Sequence, residues 1–345
     1  MIKHLVRQRS LLALAGLATA AVTLAGCGSA VNTVAAPVSS APVAPSAQEL
    51  QSQFVQVVKQ VGPSVVLVRT SQGLGSGIVY DTRGDIVTNN HVVANSNDVQ
   101  VVLAGGKQYA AKLVGTFGPD DLAVLHVNAT GLQPAGFADS KSLSVGDMVL
   151  AIGNPLGLQS SVTEGIVSAL GRTVNEDNGV ALPNVVQTSA AINPGNSGGA
   201  LVDLHSQVIG IPTLAAIDPQ LGGGSAPGIG FAIPSNTVRN IAGQLIAHGS
   251  VANSGRAYLG IQGSTTTSGG GGVLVSQVQP GGPGVKAGIS VGDVITAVNG
   301  TATPDIGTLA NVLAGLKPGQ VVSLAVTHPD GSRQAVRSTL AQYPD

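Results

Sequence analysis

One cysteine, no tryptophan and little charge of either sign set the first limits on this chain of 345 residues. Cys27 stands alone, so no disulfide forms within the chain. Charged residues make up 10% and the formal net charge is −1, so no basic surface points to nucleic acid. The histidines and acidic residues show no metal-ligand spacing; neither a metal nor a cofactor is expected. What the chain does have is 48 glycines and short Val/Ile/Leu runs punctuated by Gly and Pro, which read as mostly β structure. The length suits two domains and a tail.

Residues 1–27 read as an export signal. Lys3, Arg7 and Arg9 precede an apolar stretch from Leu11 to Leu24, which ends in Leu24-Ala25-Gly26-Cys27. That ending resembles the lipobox of bacterial lipoproteins and implies cleavage before Cys27 and acylation of it. The alternatives are an ordinary signal peptide and an uncleaved membrane anchor, although the apolar run is short for an anchor. Each reading puts the rest outside the cytoplasm; the lipid or the anchor would tether it to a membrane. Residues 28–47 form an uncharged Ala/Pro/Ser linker.

The spacing of Leu50, Phe54, Val57, Val58 and Val61 predicts a helix over 48–61, and Val65–Thr70 a strand. Gly73-Leu-Gly-Ser-Gly77 leads into a strand rather than a helix, which argues against a phosphate loop. In Thr88-Asn-Asn-His91-Val-Val-Ala94 a histidine follows a strand. In Pro119-Asp-Asp-Leu-Ala-Val-Leu125 an aspartate enters one: Asp121 adjoins the apolar run, whereas Asp120 reads as a turn residue. The other five histidines read as structural or exposed. Ala151–Gly157 and Ser161–Gly171 read as a turn and a corner, Arg172–Leu182 as a polar loop, Pro212–Pro227 as a long loop and Ser235–His248 as a helix. The centre of the chain is Thr188–Leu201, where Ser197 lies between Gly195-Asn196 and Gly198-Gly199. A serine becomes a useful nucleophile when a base takes its proton and donors hold the resulting oxyanion. The flanking glycines allow a turn that aims two amides at one spot. Alone, Gly-x-Ser-Gly is a Gly-rich turn; His91 and Asp121 change that reading.

The order His91, Asp121, Ser197 is that of chymotrypsin-like double β-barrels. In detail Thr88–Val92, Asp121–Leu125, Ile152–Pro155, Gly165–Ala169, Gly195–Leu201 and Gly228–Pro234 resemble the signatures of the HtrA (Deg) family of bacterial serine proteases, in order. The resemblance covers about 48–340. It implies a mostly β fold, with a chymotrypsin-like double β-barrel over 48–250 and one PDZ domain (α+β) over 257–342. Ser197 would be the nucleophile, His91 the general base and then acid, and Asp121 its orienter. The oxyanion hole would lie at Gly195, Asn196 and Ser197, through the amides of Gly195 and Ser197. Asn196 stands where digestive relatives pair an aspartate with a new N-terminus, so control would come from ordering of loops 153–157, 172–183 and 212–227. Pro212 departs from the Asn of many relatives. Ala190, Ala191, Ile192, Gly230, Phe231 and Ala232 would line an uncharged pocket for small or medium apolar side chains. The family usually forms homotrimers; Phe54 is a candidate contributor or a core residue.

Tyr258-Leu259-Gly260-Ile261 resembles the carboxylate-binding loop of a PDZ domain, with Asp305–Leu316 as the groove helix. Thr265–Gly272 reads as an inserted loop. Together these features imply an exported, membrane-tethered serine endopeptidase for unfolded or misassembled proteins, with hydrophobic C-termini held at the PDZ domain. The alternatives are a dedicated protease of an envelope-stress cascade and a chaperone or peptide-binding module with little proteolysis.

Overall fold

Ser46 caps helix α1 (Ala47–Val61): its hydroxyl accepts from Glu49 N–H while the Glu49 carboxylate accepts from Ser46 N–H. This reciprocal pair satisfies amides that a helix start leaves open. The computed structural model describes residues 46–154, 161–175, 181–193, 195–218, 224–266 and 271–343. The expected export signal, Cys27 and all of the expected linker before Ser46 lie outside the described residues. None of the described helices is long and apolar enough to cross a membrane.

After α1 come β1 (Val65–Thr70), β2 (Leu74–Val79), β3 (Asp85–Asn89), the short helix α2 (Asn90–Val93), β4 (Val99–Val102), β5 (Gln108–Phe117) and β6 (Leu122–Val127). These strands close into a barrel in the order β1-β2-β3-β6-β5-β4. A second sheet follows: β7 (Gly136–Phe137), β8 (Met148–Gly153), β9 (Ser161–Asn175), β10 (Ala181–Thr188), β11 (Ala200–Asp203), β12 (Gln207–Asp218) and β13 (Gly224–Pro234). Its order is β11-β8-β9-β10-β13-β12, and the pairing of β11 with β12 brings the ring back on itself.

The strands read as unbroken apolar runs because both of their faces are covered. Successive side chains alternate: Val66 and Val68 of β1 point into the first barrel with Val101 and Leu125. Val65 instead joins Ile78, Ile152 and Ile211 in the seam between the barrels. Helix α3 (Ser235–His248) closes that seam with Val238, Ile241, Ala242 and Leu245, one stripe at helical spacing. Val57 and Val61 of α1 enter the same cluster, with Phe54 packed against it.

Several expected loops are strand. Gly75 and Gly77 lie within β2, where a Cβ would come 2.6 Å from Val92 and 2.8 Å from Ile86; close packing, not a phosphate, requires them. Ala151–Gly153 end β8 instead of forming a turn. Ser161–Gly171 is part of one long strand, and the polar 172–182 stretch, where described, continues as paired strands with Leu182 opposite Val174. The 212–227 loop is likewise a hairpin where described, with Asp218 opposite Gly224. Polar and small residues tolerate a two-stranded ribbon as well as a loop, which is why composition misled there.

Beyond α3 lie β14 (Ala257–Tyr258), β15 (Ile261–Thr266), β16 (Gly272–Val278), α4 (Pro283–Lys286), β17 (Val294–Val298), β18 (Thr301–Ala302), α5 (Ile306–Ala314), β19 (Val321–Thr327), β20 (Arg333–Thr339) and β21 (Ala341–Gln342). Their sheet runs β15-β16-β17-β19-β20 around a separate core that includes Leu259, Ile295, Leu309 and Leu324. Thr265 and Thr266, expected in a loop, pair with Val273 and Gly272 as the end of β15.

Arg256 joins this unit to the first barrel. Its guanidinium donates to Asp120 Oδ1 at 3.1 Å and to the Pro119 carbonyl, and it lies over the Tyr343 ring. Asp120 does sit in a turn, but it is buried and ion-paired. Burial pushes its carboxyl up to about 6, against the opposing pull of Arg256. A folded value above the unfolded one favours the folded state most at low pH, and that contribution is lost as pH rises through about 6. Arg256→Gln removes the compensating charge. Urea unfolding is expected to show a loss of about 3–5 kcal/mol at pH 8 and a clearly smaller loss at pH 5, where Asp120 is protonated.

Candidate active site

Asp121 ends the 3-10 turn Gly118–Asp120 in the left-handed region, with φ 49°. That conformation turns its side chain away from β6 and toward the β3–α2 junction. Its carbonyl accepts from Asn90 N–H at 3.1 Å and from Asn89 Nδ2 at 3.0 Å. Its Oδ1 accepts from His91 N–H at 2.9 Å. Its Oδ2 lies 2.7 Å from His91 Nδ1. A carboxylate facing Nδ1 keeps the proton on that nitrogen and leaves Nε2 as the acceptor. The His91 ring is partly open to solvent, whereas Asp121 is buried.

A further donor completes the set. Thr213 Oγ1 donates to Asp121 Oδ2 at 2.5 Å, and the Thr213 carbonyl accepts from Ser197 Oγ at 3.3 Å. One residue therefore touches both Asp121 and Ser197. Thr213 can do so because β12 changes register against β13 between Pro212 and Leu214; an irregularity of this kind re-aims the residue it leaves unpaired. Pro212 fits there because it has no N–H to offer a ladder, and its carbonyl accepts from Gly198 N–H at 3.0 Å. In the sequence this stretch reads as a loop, and nothing in that reading singles out Thr213. The available signal was a lone hydroxyl between Ile211-Pro212 and Leu214-Ala-Ala-Ile217.

Three other histidines also face carboxylates: His126 with Asp85, His205 with Asp203 and His328 with Asp293. Aspartate pairing alone does not single out His91. What does is that its aspartate is shared with Thr213, and through Thr213 with Ser197.

The turn at Ser197 starts with Gly195 at φ 107°. Asn196 spends its N–H on the Asn193 carbonyl at 2.9 Å and its Nδ2 on the Ala191 carbonyl at 3.2 Å. It thus shapes the turn, and its own amide is not a donor to an oxyanion. Among the described residues no acceptor takes the amides of Gly195 or Ser197. The pocket residues divide into two groups, by strand alternation in β13 and by exposure in the segment after β10. Ala190, Ile192 and Ala232 share one buried cluster, and Ile192 lies where a Cβ on Gly230 would come within 2.4 Å. Phe231 points to the other face, against Leu182 and Val185, and Ala191 is exposed; neither belongs with the others. No group of His, Cys, Asp or Glu among the described residues is placed to hold a metal ion.

Residues 75–211 match a trypsin-like peptidase domain and 257–339 a PDZ domain. The chain is 44% identical over 265 residues to the periplasmic serine endoprotease DegP of Salmonella typhimurium, a match covering 73% of this chain and 54% of that protein. It is 42% identical over 266 residues to the periplasmic pH-dependent serine endoprotease DegQ of Escherichia coli, covering 74% and 56%. It spans a little over half the length of these curated relatives. Among solved structures, the HtrA-type protease AlgW with a decapeptide is 30% identical with a TM-score of 0.60, covering 85% of this chain and 99% of that one. A serine endoprotease from Yersinia pestis is 36% identical with a TM-score of 0.59, covering 84% and 98%. The chain belongs to the HtrA (Deg) family of serine proteases.

In this chain a PDZ domain follows the double barrel. Tyr258, Leu259, Gly260 and Ile261 line a cavity of about 260 Å³ together with Leu309 and Leu313 of α5. Gly260 takes φ 76°, and its carbonyl accepts from Gln279 N–H at 2.8 Å. In this HtrA-type site Thr213→Val keeps the side-chain shape and removes one donor from a buried carboxylate. The expected result is a loss of about 1–3 kcal/mol, read by urea unfolding at neutral pH; an unchanged midpoint would contradict the bond.

Proposed function

We propose that this chain is an exported serine endopeptidase with Ser197 as nucleophile, His91 as general base and acid, and Asp121 as orienter. The observation that carries this is the convergence of His91 and Ser197 on Asp121 through Thr213. Ser197 Oγ attacks the scissile carbonyl carbon and its proton passes to His91 Nε2. The carbonyl oxygen becomes an oxyanion held by the amides of Gly195 and Ser197. Collapse expels the amine, which takes the proton back from His91. Water then attacks the acyl group with His91 again as base, releasing the acid and restoring Ser197. The buried negative charge of Asp121 stabilises the imidazolium formed in each half.

Ala190, Ile192, Gly230 and Ala232 offer no charge, which supports cleavage after small or medium apolar residues such as Val, Ala or Ile. The proposed substrates are unfolded or misassembled proteins. The proposed division is a protease domain over 48–250 and a PDZ domain over 257–342, with the latter taking hydrophobic C-termini as an added strand between β15 and α5. Tethering through acylated Cys27 and assembly as a homotrimer complete the proposal; the lipobox-like run 24–27 and the family's habit support them.

Two results test it. Ser197→Ala is expected to lower hydrolysis of an unfolded protein by at least about 10³-fold; a variant that still cleaves would refute the nucleophile. A peptide-library digest is expected to show Val, Ala or Ile before the cut, and a preference for Lys or Arg would refute the pocket assignment.

A further inference from the structure

Ser76 lies in the glycine run that the proposed reaction leaves without a role. It is fully buried in β2 of the first barrel, and every polar group it owns is engaged, its N–H and hydroxyl across the seam. Its N–H donates to the Ser197 carbonyl at 2.8 Å. Its hydroxyl accepts from Asn154 N–H at 2.8 Å and donates to the Gly195 carbonyl at 2.5 Å. Its carbonyl accepts from Thr88 Oγ1 at 2.7 Å. Because the Asn154 amide can only donate, the hydroxyl proton has one destination, Gly195 O.

These bonds fix the peptide planes on either side of the oxyanion donors. The Gly195–Asn196 plane is held at its carbonyl by Ser76 Oγ and at its N–H by the Asn193 carbonyl. The Ser197–Gly198 plane is held at its carbonyl by Ser76 N–H and at its N–H by the Pro212 carbonyl. Between them, the Asn196 carbonyl accepts from Gly199 N–H at 2.9 Å. The Ser197 amide remains, directed by planes tied on both sides. Gly195 sits at φ 107°, a conformation that a glycine leaves easily, so its own amide depends on what holds the next carbonyl.

We propose that Ser76 is a positioning residue for the oxyanion hole, its hydroxyl setting the direction of the Gly195 and Ser197 amides. This assignment rests on the serine-protease reading above. Ser76 acts through the 195–198 turn and touches no substrate. Its loss removes preorganisation of donors that matter most in the transition state, which lowers kcat and spares KM.

The test compares the full chain with Ser76→Ala, Ser76→Cys and Ser197→Ala on a chromogenic peptide with Val before the cleaved bond, per folded molecule as judged by a cooperative thermal melt. Ser76→Ala is expected to lower kcat about 10–100-fold with KM within about threefold. The thiol of Ser76→Cys, a weak donor of similar size, is expected to fall between. The pH of half-maximal kcat/KM stays that of the unaltered chain, because the His91–Asp121 pair is untouched; a merely structural loss would not give this split. A kcat within twofold of the unaltered chain, or a rise in KM alone, overturns the role of Ser76 while an inactive Ser197→Ala leaves the protease reading standing. An active Ser197→Ala overturns that reading itself. If Ser76→Ala does not fold, Ser76→Cys decides on the same criteria.

Discussion

The buried carboxylate of Asp121 is the constraint about which the first barrel's end is arranged. An isolated carboxylate in such a place is costly, and the cost is offset only by donors on its oxygens. Here the donors are the His91 amide, the His91 ring and the Thr213 hydroxyl. Each comes from a different requirement of the chain. The amide and the ring need α2 to start immediately after β3. The hydroxyl needs the break in register in β12. The left-handed backbone of Asp121 itself, a region that aspartate, asparagine and histidine enter more readily than other side chains, lets one residue reach both barrels.

Chemistry at the junction of two barrels requires that they not slide. The seam cluster spans strands of both, with α1 and α3 sealing its ends. Ser76 adds polar ties to this apolar contact, from β2 to the turn of Ser197 and to Asn154 at the end of β8. The same fold places Asp120, next to Asp121, under Arg256 at the root of the PDZ domain. A charge on the second unit thus lies one residue from the carboxylate that orients His91.

Much of this is legible in the sequence. Val65–Thr70 and Ser235–His248 are found with the expected bounds, because apolar runs bracketed by Gly, Pro or a cap leave few alternatives. His91, Asp121 and Ser197 stood out because each sits at a strand's end beside small residues. Hairpins read as loops were lost for a physical reason: a ribbon with polar, glycine-rich ends has neither strict alternation nor a buried run to mark it. Thr213 was lost with them. Ser76 was visible only as part of a glycine pattern whose spacing suggested a phosphate, and its partners lie 78 and 119 residues away. Asn196 and Phe231 are neighbours of the site in sequence but supply no group to it: Asn196 spends its amide on Asn193, and alternation turns Phe231 to the other face.

The most direct measurement of the central claim is to treat the full chain with a fluorophosphonate and map the adduct by mass spectrometry. The account predicts a single phosphonylated residue, Ser197, formed much more slowly in Asp121→Asn and not at all in Ser197→Ala. Labelling at another residue, or labelling of Ser197 at an undiminished rate in Asp121→Asn, would contradict it.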